Sequence, residues 1–397
     1  MEDIALKNIT GETRDHLVDL YFRFIHDKPH TLFHPDHFRS RVRDDTIALP
    51  VLYGVMALAA RFSENEEIRR EEKPLFLAAR TMLKLVIDCV SLDNIHASIL
   101  VGNLCGGEGE ADAEALYYGI ASRMAQIHEF PLIRDSADSM TREITVRTWW
   151  SLYMIDRWSS AGLNLPRQLH DKYDILPMHE AEFWRLKKGE VIDTISGSRP
   201  SLWGHMIRLA QIFGPIQDFH EVLADGVLED HRIEPATYEL VQRFDSFDQQ
   251  LPPDQSFSPR TLTDHISAGL GSIFVALHLG YHHYSTLLYF PYLDIQLSQI
   301  PGRSTYVARC KSHAAAFSDL LRTSYYTHEC EAVYLIVTHM TVVSSSVLLH
   351  TLLFGDEGEL FDARERLYSN FEVLLKLKQY WPGADSMVRQ KTLDYKI

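Results

Sequence analysis

Arg147-Thr148-Trp149-Trp150-Ser151-Leu152-Tyr153-Met154-Ile155-Asp156-Arg157-Trp158 is the stretch that decides the fold. At 3.6 residues per turn, Trp150, Tyr153, Met154 and Trp158 fall toward one side, the spacing of a helix that turns aromatics inward. Glu143 precedes Arg147 by four residues, so the two charges can pair on one helix face. Asp156 and Arg157 are chain neighbours that point in different directions, and each needs its own partner. One account has the aromatics filling a core while Arg147, Asp156 and Arg157 tie neighbouring segments through charge-assisted hydrogen bonds. The other has this helix lining a pocket in which the charges orient a ligand.

The same period runs outward in both directions. Leu17, Leu20, Tyr21 and Phe24 follow the i, i+3, i+4, i+7 rule, with Thr10 or Thr13 available as an N-cap. Further helices are predicted over 47–63, 67–90, 93–104, 112–127, 139–162, 201–222, 234–250, 261–289, 303–323, 329–354 and 358–380. No segment alternates as a strand between hairpin turns, so the expected fold is all-α, a large multi-helical array with central buried helices, over one domain spanning 1–397. Turns are expected at Cys105-Gly106-Gly107-Glu108-Gly109, Phe130-Pro131, Ser196-Gly197-Ser198-Arg199-Pro200 and Leu251-Pro252-Pro253-Asp254. His170 to Gly189 mixes polar and aromatic residues without a firm period, which suggests a mobile cover.

Composition narrows the function classes. Apolar residues make up 46% of 397, enough for a substantial core, and the net charge of −15 is the wrong sign for gripping duplex phosphates. Direct nucleic-acid binding is therefore not expected. The acidic start Met1-Glu2-Asp3-Ile4 lacks the cationic lead of a secretory signal, giving an expectation of an intracellular protein of nucleus or cytoplasm. Two uncharged runs, His265–Leu293 and Ala332–Phe354, could span a bilayer by length. Their histidines, hydroxyls and glycines, with an overall mean hydropathy of −0.15, favour buried helices over membrane spans. Cys89, Cys105, Cys310 and Cys330 have no metal-knuckle spacing and read as buried, inert thiols in a reducing compartment.

A search for chemistry finds few signatures. There is no Gly-x-Ser-x-Gly elbow, His-Glu-x-x-His helix or Cys-x-x-Cys pair, and Asp44-Asp45 lacks the further acid a diphosphate-bound magnesium site needs. The glycines at 102, 106, 107 and 109 sit beside Glu108 and Glu110, with no following Lys-Ser or Lys-Thr, which excludes a P-loop. His26, His30, His34 and His37 would suit a metal on a continuous helix, but Pro29 and Pro35 interrupt it. His278, Tyr281, His282, His283, Tyr284 and Tyr289 crowd one uncharged stretch. They form either a hydrogen-bonded core or a ligand-facing wall of imidazole and phenol donors. No cofactor or metal is expected.

Landmarks in a fixed order give these features a family setting. Leu20-Tyr21-Phe22, His26, Leu32-Phe33-His34 and Phe38 come first, then Leu58-Ala59-Ala60-Arg61-Phe62-Ser63 and Gly119 to Gln126. The Arg147, Trp149, Trp150, Asp156, Arg157 signature follows, with Pro166 beyond it. Leu279-Gly280-Tyr281-His282, Cys310 with Ala314 to Leu321, and Tyr380-Trp381-Pro382-Gly383-Ala384 close the series. Together they resemble the regulatory, middle-homology region of the fungal-specific transcription factor domain, a helical module that ordinarily follows a zinc binuclear cluster. That cluster needs six thiolates, and four cysteines cannot supply it. Where the family has Leu-His-Arg-Pro-Phe-Leu, this chain has Leu288-Tyr289-Phe290-Pro291-Tyr292-Leu293, aromatics in place of a cationic pair.

The resemblance implies a transcription-regulator-like module without its own DNA-binding head. Such a module would bind a small apolar, polyketide- or terpenoid-like molecule, or a protein partner or second copy, in a fungal secondary-metabolite setting. The alternative is a cofactor-free cyclase, isomerase or pericyclase on the same scaffold. Such an enzyme works by holding one folded conformer and hydrogen-bonding a developing charge, which needs no metal or nucleophile motif.

Overall fold

A computed structural model describes residues 9–28, 30–131, 138–191, 199–226, 230–294, 297 and 299–384. Pro29, Met1 to Ile4 and the Ser196-Gly197-Ser198 turn lie outside these residues. The described chain is helical throughout, without a named strand, and divides into two compact units.

Unit 1, residues 1–201 with 333–335 and 378–397, holds nine helices among its described residues. They are α1 (Gly11–Phe24), α2 (Pro35–Arg43), α3 (Leu49–Ala60), α4 (Glu66–Arg70), α5 (Glu72–Leu85), α6 (Leu92–Glu108), α7 (Ala111–Ile127), α8 (Ser139–Leu163) and α9 (Glu180–Phe183). Thr10 caps α1 by accepting the Thr13 amide at 3.1 Å. His34 caps α2, and Pro35 occupies its first turn, where a missing N–H costs nothing. Pro35 thus starts a helix, which the periodicity had not assigned to this segment.

Three local expectations change on folding. The glycine run after Cys105 is no turn: α6 continues to Glu108, and Gly109, at φ 79°, ends it in the left-handed region. Gly106 and Gly107 stay helical and leave room for the side chains of Glu114 and of Arg61 and Trp381 respectively, while the Gly383 N–H donates to the Gly107 carbonyl at 2.8 Å. The 67–90 helix splits at Glu71 into α4 and α5. And α8 is buried on every side from Glu143 to Arg157, not on one stripe. Its polar groups must therefore find partners inside the protein.

Unit 2, residues 202–332 and 336–377, comprises α10 (Leu202–Ala224), α11 (Asp230–Gln250), α12 (Pro259–Ser267), α13 (Gly271–Tyr289), a 3-10 turn at Phe290–Leu293, α14 (Arg303–Tyr326), α15 (Ile336–Phe354) and most of α16 (Glu357–Tyr380). The single helix expected over 261–289 is broken at Gly269, φ 72°. The helix expected from 329 begins only at Ile336. α13 lies at the middle of the unit, packed by α10, α12, α14 and α15. Among the described helices α15 alone is long and apolar enough to cross a membrane. Its Val337, Met340, Val343 and Val347 are buried, and its Ser344 hydroxyl shares a hydrogen bond with Ser318 of α14 at 2.8 Å.

Candidate functional site

The signature helix meets its partners on one extended segment. Arg147, fully buried, donates from Nε to Glu143 Oε1 at 2.7 Å, from Nη1 to Thr31 Oγ1 at 3.3 Å and from Nη2 to the Met178 carbonyl at 2.9 Å. Its guanidinium also lies 4.2 Å from the Phe183 ring centroid. Trp150 Nε1 donates to the Ile175 carbonyl at 2.6 Å, and Trp149 meets Tyr173 edge to face.

One turn on, the Asp156 carboxylate accepts the amides of Gln168 and Leu169 at 2.9–3.0 Å. Arg157 donates to the Leu169 carbonyl at 3.2 Å and to Asp171 at 3.1 Å, and the Tyr153 hydroxyl also donates to Asp171. Arg147, Trp150, Tyr153, Asp156 and Arg157 thus each bond a group within residues 168–178. The segment expected as a mobile cover is hydrogen-bonded to α8 from Gln168 to Met178.

The His/Tyr stretch of α13 separates onto different sides of its helix. Tyr284 stacks on Phe213 of α10 at 4.5 Å, and His283 meets His339 of α15 edge to face. His278 Nε2 bonds the Gln255 carbonyl at 3.0 Å and packs against Phe274 and Phe257. The remaining three form a cluster with groups that periodicity did not single out. His282 Nδ1 lies 3.1 Å from Nδ1 of His313 on α14, so one ring donates and the other accepts. Tyr289 accepts from Arg309 Nη1 at 3.1 Å and stacks on Tyr306 and His313. Tyr281 stacks on Phe247 of α11 and meets Phe244 of the same helix and His313 edge to face.

Arg309 and His313 stand four apart in the sequence, one helical turn. That spacing was a legible signal once α14 was known to face α13.

The electrostatics of this cluster follow from burial. Desolvation, then the neighbouring His313 and His278, lowers His282 to about 3, and desolvation with Arg309 lowers His313 to about 4. Both imidazoles are thus neutral at pH 7, each offering one donor and one acceptor. Burial raises the Tyr281 phenol to about 12. Neutral imidazoles, two phenols and the Arg309 cation at the edge of an aromatic wall suit hydrogen bonding to a carbonyl or carboxylate on an apolar body. None is paired as an activated nucleophile.

The N-terminal histidines are spoken for separately. His26 Nε2 accepts the Phe33 amide, His30 bonds Asn103 at 2.9 Å, and His34 accepts the His37 amide. Among the described residues no group of three His, Cys, Asp or Glu could hold a metal. Cys105, Cys310 and Cys330 are buried as expected, but Cys89 is exposed, because α5 ends at Leu85 and the connection to α6 runs over the surface.

Residues 18–250, more than half of the chain, match the fungal specific transcription factor domain family, and the chain belongs to it. An uncharacterized transcriptional regulatory protein of Schizosaccharomyces pombe is 28% identical over 316 residues, covering 68% of this chain and 32% of the relative. A second from that yeast is 22% identical over 427 residues, covering 92% and 50%. A Zn(2)-C6 fungal-type transcription factor of Fusarium oxysporum f. sp. lycopersici is 20% identical over 430 residues, covering 97% and 46%. The chain spans between a third and half the length of these relatives. No solved structure matches it.

Proposed function

We propose that these residues are the effector-responsive part of a fungal transcription regulator that acts in the nucleus on a secondary-metabolite gene set. Family membership carries this reading, because the relatives are named as transcriptional regulators and the signature residues of that family stand on one buried helix here. The effector is a small, largely apolar molecule bearing a carbonyl or carboxylate. It is received where Tyr281, His282 and Tyr289 of α13 meet Arg309 and His313 of α14. What supports this is the local chemistry: two half-buried neutral imidazoles, the Arg309 cation on Tyr289, and Tyr281 packed on Phe244 and Phe247. Promoter contact then belongs to another segment or another chain, since four cysteines cannot build a binuclear cluster and the net charge is −15.

Deleting the gene and measuring transcripts and metabolites together tests the reading. The regulator predicts coordinated loss or gain of a gene set. Unchanged transcripts with an accumulating, unrearranged precursor would instead establish the cyclase or pericyclase alternative and overturn it.

A further inference from the structure

Two glycines of α6 receive two side chains of α7. Gly102 and Gly106 stand one helical turn apart on α6, and Glu114 and Tyr118 one turn apart on α7. A Cβ on Gly102 would strike the Tyr118 ring, and one on Gly106 would lie 2.7 Å and 3.0 Å from the two Glu114 carboxyl oxygens. The glycines thus leave two hollows, one filled by an aromatic ring and the other by a carboxyl group. A carboxylate seated against helix backbone gives up water and gains little in return unless a cation is close.

Hydrogen bonds decide which protonation state this arrangement needs. Tyr118 Oη donates to Asn103 Oδ1 at 2.6 Å, and His30 Nε2 donates to the same oxygen at 2.9 Å. With its single hydrogen given to Asn103, the phenol oxygen can only accept. Its hydrogen bond with Glu114 therefore needs a proton on the carboxyl.

The surrounding charges do not offset an ionised Glu114. Arg80 of α5 bonds Glu110 Oε2 at 2.7 Å, and Arg61, at the end of α3, bonds Glu72 and Glu108. On α6 the buried Cys105 thiol is neutral, and Glu110, one turn before Glu114, adds charge of the same sign. The buried charges of α8, Glu143, Arg147, Asp156 and Arg157, are bonded to one another or to Thr31 and residues 168–178. Burial accordingly raises Glu114 to about 7.

We infer that Glu114 is a proton-operated latch between α6 and α7: protonated, it completes the chain Glu114–Tyr118–Asn103–His30, and ionised, it breaks that chain and loosens the seam. The latch is independent of the effector reading of the α13–α14 cluster. Folded Glu114 keeps its proton up to about 7, whereas an unfolded carboxyl loses it at the ordinary 4.5. The seam is therefore tightest below about pH 4.5 and loses stability as pH rises to about 7. This runs opposite to the imidazoles of unit 2, so a local measurement has to read it.

Hydrogen exchange of the α6 and α7 amides in the whole chain, corrected for the intrinsic exchange rate, tests the latch. In the parent, opening is expected to increase about tenfold or more between about pH 5 and pH 7, and in Glu114→Gln, which mimics the neutral carboxyl, to stay level. Carbon-13 NMR of the Glu114 carboxyl should place its midpoint at about 7. A parent without the increase, a Glu114→Gln chain that keeps it, or a carboxyl midpoint at the ordinary 4.5 would overturn the inference.

Discussion

Glu143 and Arg147 grip opposite ends of one residue: the Met178 amide donates to Glu143 Oε1 at 3.0 Å while its carbonyl accepts from Arg147 Nη2 at 2.9 Å. The pair itself closes at 2.7 Å with both side chains buried. Removing one charge would strand the other in a low-dielectric interior, so Arg147→Met is expected to cost about 3–5 kcal/mol in urea unfolding. Adding Glu143→Gln should recover about 1–2 kcal/mol by removing the orphaned charge. Additive losses in the double variant would show that the two side chains act separately.

Glycine substitutions should divide by what surrounds them. A Cβ on Gly383 would strike the backbone of Gly109 and lie 2.8 Å from the Gly106 carbonyl, atoms that cannot rotate away. Gly383→Ala is expected to destabilise by about 1–3 kcal/mol. Gly162, in the last turn of α8 with nothing within 4 Å, should instead gain up to about 1 kcal/mol as alanine through helix propensity. Opposite shifts in melting temperature are the measurement, and a stabilised Gly383→Ala would contradict the docked arrangement of α6 against this turn.

Acid should loosen unit 2 before it reaches the carboxylates. Folded His282 and His313 stay neutral down to about 3 and about 4, whereas the ordinary imidazole value is 6.5. Between those limits the unfolded chain binds more protons than the folded one, so stability is full above about pH 6.5 and falls as pH drops toward 4. The urea midpoint should decline from pH 7 to pH 5, and His313→Asn should make that decline shallower. An unchanged slope in the variant would remove this cluster as its source.

Thiol reactivity gives a direct check on burial. Cys89 is exposed, while burial raises Cys105 to about 12 and Cys330 to about 11 and also pushes up Cys310. A disulfide reagent should modify one thiol rapidly in the folded protein and all four in denaturant. Fast loss of a second thiol without denaturant would place one of the three outside the core.

Much of the fold was legible because helix periodicity is local. The 112–127 and 139–162 spans appear as α7 and α8 to within a residue at each end, and the Glu143–Arg147 pair follows from a spacing of four. Where local rules misled, a distant segment had intervened. Gly106 and Gly107 look like a turn until Gly383 is seen lying against them, and 168–178 looks loose until Asp156, Arg157 and Trp150 are seen to hold its backbone. The candidate cluster was half visible: Tyr281, His282 and Tyr289 share a helix, but His313 and Arg309 join them from α14.

The sequence by itself determined the helical class, the signature helix, the family and the shortage of thiolates for a zinc cluster, because all of these depend on residue type and on neighbours within a turn or two. Only the tertiary structure decided that Asp156 and Arg157 converge on one segment, that His282 faces His313, and that Phe361, Tyr368 and Leu375 are left outside. Those outcomes depend on which helix faces dock together. Docking is set by the packing of side chains far apart along the chain, which no local period records.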